Sequence, residues 1–149
     1  MILKYFEINK LNFSKFKLIL LYGYNDGLKN EVINSFLNKL NIKKTIKFDE
    51  KEILANDQIF FDEVLSKSFF DDKKIIQVNR CTDKFLKVLE YIFNKETEEI
   101  YIIINSEQLD KKSKLRNKFE KETNLICIPF YADNNETLSK LSSSFFRER

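Results

Sequence analysis

Five short apolar runs punctuate the chain, and amphipathic stretches separate them. The runs are Lys17–Tyr22, Thr45–Phe48, Lys74–Val78, Ile100–Ile104 and Leu125–Phe130. Ile100-Tyr101-Ile102-Ile103-Ile104 is a continuous β-branched and aromatic segment with no polar face. Such a strand is buried on both sides, as in a parallel sheet covered by helices.

Helical spacing fills the intervals. Leu28, Val32, Phe36 and Leu40 recur every fourth residue over Leu28–Leu40. Asn56–Lys67 carries Phe60, Val64 and Leu65 on one stripe with Phe61 beside it, and Asp83–Phe93 carries Phe85, Leu86, Leu89, Ile92 and Phe93. Lys111–Glu122 is mostly charged, with Leu115 and Phe119 as its apolar pair, and Asn135–Phe146 carries Leu138, Leu141 and Phe145. Each stripe predicts an amphipathic helix. Asp83 and Asn56 stand where N-caps belong. The alternation predicts a three-layer α/β domain, a five-stranded parallel sheet with right-handed crossovers. At 149 residues this is one domain, 1–149. Because the chain stops inside a helical pattern, it reads as a domain cut from something longer.

The first run ends at Gly23, and a helical pattern begins soon after it. A strand-loop-helix phosphate site sits at such a junction. The motif G-x-x-x-x-G-K-[ST] requires glycine at 28, lysine at 29 and a hydroxyl at 30. This chain has Leu28, Lys29 and Asn30. Leu28 puts a bulky side chain where backbone must approach phosphate, and Asn30 is a poor substitute for the hydroxyl that holds Mg²⁺. The metal-holding carboxylate expected after an apolar strand is also missing, since Lys74–Val78 runs into Asn79-Arg80. Asp110 lies well past the end of Ile100–Ile104. Gly23, Gly27, Leu28, Lys29 and Asn30 are therefore expected to form a structural turn, with Lys29 as the one cation left to attract a phosphate. No cofactor, metal or catalytic residue is expected.

Composition narrows the chemistry further. The chain has no histidine, which excludes Ser-His and Cys-His catalysis and His-ligated zinc. Its two cysteines make no disulfide framework or metal cluster, and Cys127, inside Leu125-Ile126-Cys127-Ile128, reads as a buried reduced thiol. Two glycines and one proline argue against a loop-rich β-sandwich. A net charge of +3 does not by itself demand a nucleic-acid partner. No apolar run approaches the ~20 residues of a membrane span, and the start is too polar for a signal peptide. A cytoplasmic location is the expectation.

Three segments together resemble a known family. They are the Leu21-Tyr22-Gly23 strand end with its degenerate loop, the Ser68-Phe69-Phe70 turn before Lys73-Lys74-Ile75-Ile76, and Leu109-Asp110-Lys111-Lys112-Ser113-Lys114-Leu115. In order and spacing they resemble the N-terminal domain of the delta subunit of the bacterial DNA polymerase III clamp loader. The resemblance covers essentially the whole chain, and its third segment is the most specific. It implies an AAA+-type fold without ATP hydrolysis, with the family's later domains absent. It also implies sliding-clamp (beta) binding that helps open the clamp for loading during replication. Further implied partners are the gamma/tau and delta prime subunits, with DNA met only indirectly within the assembly.

The resemblance also implies a clamp contact at Leu65, Ser68, Phe69 and Phe70. Here the family's frequent Leu-Phe pair is Phe69-Phe70. Adjacent residues on a helix diverge by about 100°, so both rings cannot join one narrow core stripe. Asp71-Asp72-Lys73-Lys74 follows at once and places the pair near the surface, as a candidate patch. Without the resemblance, one or both rings would be read as capping the core. Asn105 resembles the polar sensor position of active relatives and is read as capping its strand end. Two other functions stay open from the residues: a divergent nucleotide-binding phosphotransferase or NTPase, and a nucleic-acid module using the lysine-rich helix 111–122.

Overall fold

In a computed structural model the described residues are 2–4, 17–42, 44–65, 74–93 and 100–130. The chain runs β1 (Leu18–Gly23), α1 (Asp26–Leu40), β2 (Lys44–Asp49), α2 (Glu50–Ala55), α3 (Asp57–Leu65) and β3 (Lys74–Asn79). A 3-10 turn (Asp83–Phe85) then leads into α4 (Leu86–Phe93), followed by β4 (Ile100–Ser106), α5 (Lys114–Lys121) and β5 (Ile126–Phe130). All five expected strands form, in one wholly parallel sheet of order β2-β3-β4-β1-β5. The helix expected over 135–146 lies outside the described residues.

Topology decides which helix covers which face. From β1 the chain crosses the sheet one way to β2, and every later crossover runs the other way. Right-handed connections therefore put α1 alone on one face and α2 to α5 on the other. The side chains agree. Leu28, Val32, Ile33 and Phe36 of α1 pack with Ile19, Leu21, Ile103 and Ile128. Ile53, Phe60, Val64, Phe85, Leu89, Leu115 and Phe119 pack with Leu20, Ile76, Ile102 and Cys127. Alternate residues of β1, β3, β4 and β5 serve opposite cores, whereas the edge strand β2 packs only Phe48.

Aromatic contacts stiffen the second core. Phe60 meets Phe48 and Phe85 edge to face, at ring separations of 5.6 and 5.8 Å. Phe60 and Phe85 are fully buried, which contributes roughly 1.5–3 kcal/mol each. Cys81 and Cys127 are free and buried. Burial pushes the Cys127 thiol up to about 12, so it stays protonated and unreactive at neutral pH. No helix among the described residues is long and apolar enough to cross a membrane.

Some features near the helix ends differ from the sequence expectation. The short α2 has only Ile53 as a buried apolar residue, too little to make a periodic stripe. Asn56 ends α2 and, as expected, caps α3, its side chain accepting from the Gln58 N–H at 3.3 Å. The charged helix starts at Lys114 rather than Lys111, because Ser113 is its N-cap and accepts from the Arg116 N–H. The largest correction concerns Asp83. Thr82, not Asp83, caps the 3-10 turn.

Asp83 instead reaches a helix some 30 residues away. Its carboxylate accepts from Ser113 Oγ at 2.6 Å and from the Lys114 and Leu115 N–H groups, both at 3.2 Å. Asp83 thus closes the N-terminus of α5 from outside and locks it to the start of α4. Partial burial raises its pKa, but these hydrogen bonds and the Lys114 charge outweigh that and hold it below the usual carboxylate value. A depressed carboxyl contributes stability above the unfolded value of about 3.9 and loses it as pH falls further. Asp83→Ala is expected to cost about 1 kcal/mol at pH 7, the usual scale of a lost cap. The gap between variant and parent should narrow near pH 3, as read from urea-unfolding midpoints.

Candidate functional site

In an open parallel sheet, ligands gather outside the carboxyl ends of the strands, where the direction of chain crossing reverses. Here that place is the end of β1, between β4 and β5. Gly23 closes β1 with φ +121°, and a Cβ built on it would lie 1.8 Å from the Phe130 carbonyl oxygen. Only glycine fits this close approach to β5. Its N–H donates to the Glu107 carbonyl, fixing the turn against the segment after β4.

Only Tyr24 and Asn25 separate β1 from α1. Asn25 caps the helix, its side chain accepting from the Leu28 N–H at 3.2 Å and its carbonyl from the Lys29 N–H at 3.1 Å. Residues that a phosphate loop holds open are already helical. Leu28 is buried in the α1 core, while Asn30 is exposed on the surface of the helix. Asp26 puts a negative charge on the first turn, where an anion would otherwise be favoured. Gly27 has no structural need to be glycine, since a Cβ there would meet nothing closer than Asn25 Oδ1 at 3.8 Å.

Lys29 points inward and is 1% exposed. Its Nζ donates to the Ser106 carbonyl oxygen at 2.7 Å and lies 3.7 Å from the Asp26 carboxylate. Burial lowers its pKa, and the charges of Asp26 and Glu107 oppose that shift. The lysine expected to attract phosphate is thus bound to the end of β4.

The adjoining cleft, of about 420 Å³, is lined by the start of α1 and the ends of β2, β3 and β4. Lys29, Lys47 and Arg80 are matched there by Asp26, Asp49 and Glu107. At its floor Asn79 Oδ1 accepts from Gln77 Nε2 at 2.8 Å and from Asn105 Nδ2 at 3.3 Å. Asn105 therefore ties the end of β4 to that of β3. This neutral trio stands where a metal-holding carboxylate is needed. Arg80 follows it in the left-handed region, at φ 58°, a conformation that costs a non-glycine residue ~1 kcal/mol. Among the described residues no cluster of three or more His, Cys, Asp or Glu could hold a metal ion.

The structure brings Gly23, Gly27, Leu28, Lys29 and Asn30 together at one turn. Leu65 ends α3, whereas Ser68, Phe69 and Phe70 lie outside the described residues. Sequence reasoning missed Ser106 and Gln77. Ser106 contributes a backbone oxygen, which no residue pattern reveals. Gln77 left a weak signal, as the single amide inside an apolar strand.

The two glycines provide a direct test of this geometry. Gly23→Ala should destabilise the fold by at least about 2 kcal/mol, from left-handed strain and the clash with β5. Gly27→Ala should be neutral or stabilise it by about 0.4–1 kcal/mol. Thermal melts of the two variants compare them.

A comparison with curated proteins found no match. Among solved structures, the chain resembles a DNA clamp loader delta protein of Bacillus subtilis, with a TM-score of 0.63 and 14% sequence identity. That similarity covers 91% of this chain and 44% of the Bacillus chain, so this chain spans less than half the length of that relative. At this identity the match speaks for the fold. The sequence model of the DNA polymerase III delta subunit matches residues 20–128, and this chain belongs to that family.

Proposed function

We propose that this domain is a binding part of the clamp loader that grips the sliding clamp and carries out no nucleotide chemistry of its own. The observation that best supports this is the buried Lys29 ammonium bonded to the Ser106 carbonyl. It uses up the one cation of the loop, in a turn with no open run of N–H groups. A capped helix N-terminus with its own acid, a charge-balanced cleft and an amide trio in place of a carboxylate all oppose triphosphate and Mg²⁺. They also weigh against the phosphotransferase or NTPase reading.

In this proposal the work moves to the segment after α3. Phe60 and Val64 of α3 are buried in the second core, which holds the helix firmly. Beyond Leu65 come Ser68, Phe69 and Phe70, which we assign to the clamp contact. Aromatic anchors seated in a partner pocket are typically worth ~2 kcal/mol or more each. Occupying a pocket on the clamp favours its open form only by the difference in affinity between open and closed states. ATP use then belongs to partner subunits of the gamma/tau and delta prime kinds.

The combined change Phe69→Ala and Phe70→Ala should weaken binding to the sliding clamp by ~100-fold or more, the scale of two lost anchors. The melting temperature should stay nearly unchanged. Surface plasmon resonance against immobilised clamp measures the first and circular dichroism the second. Unaltered clamp affinity in a folded double variant contradicts the assignment.

A further inference from the structure

The basic charge of this chain is concentrated in one place. Residues 111–122 hold six cations (Lys111, Lys112, Lys114, Arg116, Lys118 and Lys121) against Glu120 and Glu122, a net charge of +4. The whole chain is +3, so everything else sums to −1. Two of the six cations are committed to the fold. Arg116 donates to the Leu109 carbonyl and to Glu120, and lies over the Tyr22 ring. Lys118 pairs with Glu122 and lies over the Phe93 ring.

Lys111, Lys112, Lys114 and Lys121 are exposed. Lys84 joins them from the 3-10 turn. It lines a shallow cleft of about 470 Å³ together with Lys112, Asp83 and Asp110. The Lys114 N–H binds Asp83, which places this residue at the same rim. Both carboxylates in the patch are occupied by backbone. Asp83 accepts from the first N–H groups of α5, and Asp110 accepts from the Lys112 N–H at 2.9 Å. Among the described residues, no ion pair within 4.0 Å involves Lys84, Lys111, Lys112 or Lys114.

The surroundings indicate what such a surface fits. Protein interfaces centre on apolar or aromatic side chains and are poor in lysine. The exposed large hydrophobic residues among those described are Ile2, Tyr24, Leu54, Ile59 and Tyr91, none of them in this patch. Exposed lysines without an apolar centre suit a phosphate backbone, which is held by charge and read without regard to sequence.

We propose that Lys84, Lys111, Lys112 and Lys114 form a direct, sequence-independent contact surface for the phosphate backbone of duplex nucleic acid. The assigned clamp segment plays no part in it, so the two surfaces can succeed or fail separately.

Fluorescence anisotropy with a mixed-sequence DNA duplex over a series of salt concentrations tests it. The unaltered chain should bind, with affinity falling steeply as salt rises. Lys84→Gln, Lys112→Gln and Lys114→Gln together should reduce the slope of log affinity against log salt by about 2.7, near 0.9 per phosphate contact. A second triple variant, Lys4→Gln, Lys39→Gln and Lys51→Gln, removes the same charge elsewhere and should leave the slope in place. All six side chains are exposed, and circular dichroism checks that both variants fold. Three results overturn the proposal: no duplex binding at low salt, equal losses in the two variants, or displacement of the duplex by polyglutamate at equal charge, which would indicate an acidic protein partner.

Discussion

The buried contact between the Lys29 ammonium and the Ser106 carbonyl oxygen joins the start of α1 to the end of β4. These are the two elements that a bound phosphate bridges in a nucleotide-binding sheet of this kind. Taking an ammonium out of water is costly, and it persists only where a partner offsets the loss. Here a short hydrogen bond and the nearby Asp26 supply that offset. The surrounding polar groups follow the same logic: Gln77, Asn79 and Asn105 satisfy one another, and the charges of the cleft sum to zero. The polar groups around the strand ends are thus paired within the chain itself.

The two faces of the sheet are organised separately. α1 lies alone on one face, and its attachment to β4 is separate from the core beneath α2 to α5. The segment assigned to the clamp follows α3 in the chain, and α3 itself is anchored on that other face, where Phe60 lies among Phe48, Phe61 and Phe85. The Asp83 link between α4 and α5 stiffens the same layer. Fold and reaction are thus separable: a sheet that elsewhere supports phosphate chemistry can serve as a rigid mount for binding surfaces.

Four strands were legible because they are apolar on both faces, and a run with no polar side has few alternatives. Helices α1 and α3, and α4 behind its 3-10 turn, were legible through stripes such as Leu28-Val32-Phe36. What escaped was long-range. Asp83 sits at a good local N-cap position, yet its carboxylate serves a helix brought near only by tertiary folding. Lys29 carries a signal of phosphate affinity by residue type, and its true partner is a backbone oxygen 77 residues away. The segment Leu109–Leu115, which marks the family, now has a physical account. Leu109 and Leu115 enter the core, Asp110 makes the turn, and Ser113 caps α5. Phe69 and Phe70, which lie outside the described residues, rest on the family resemblance and on the divergence of adjacent rings.

The central proposal is that the polar groups lining the strand-end cleft pair with one another and that the cleft takes no nucleotide. Isothermal titration calorimetry of the folded chain with Mg-ATP tests it most directly. The account predicts no saturable heat at millimolar nucleotide. Stoichiometric binding in the micromolar range, lost on Lys29→Ala in a variant that remains folded, would contradict it.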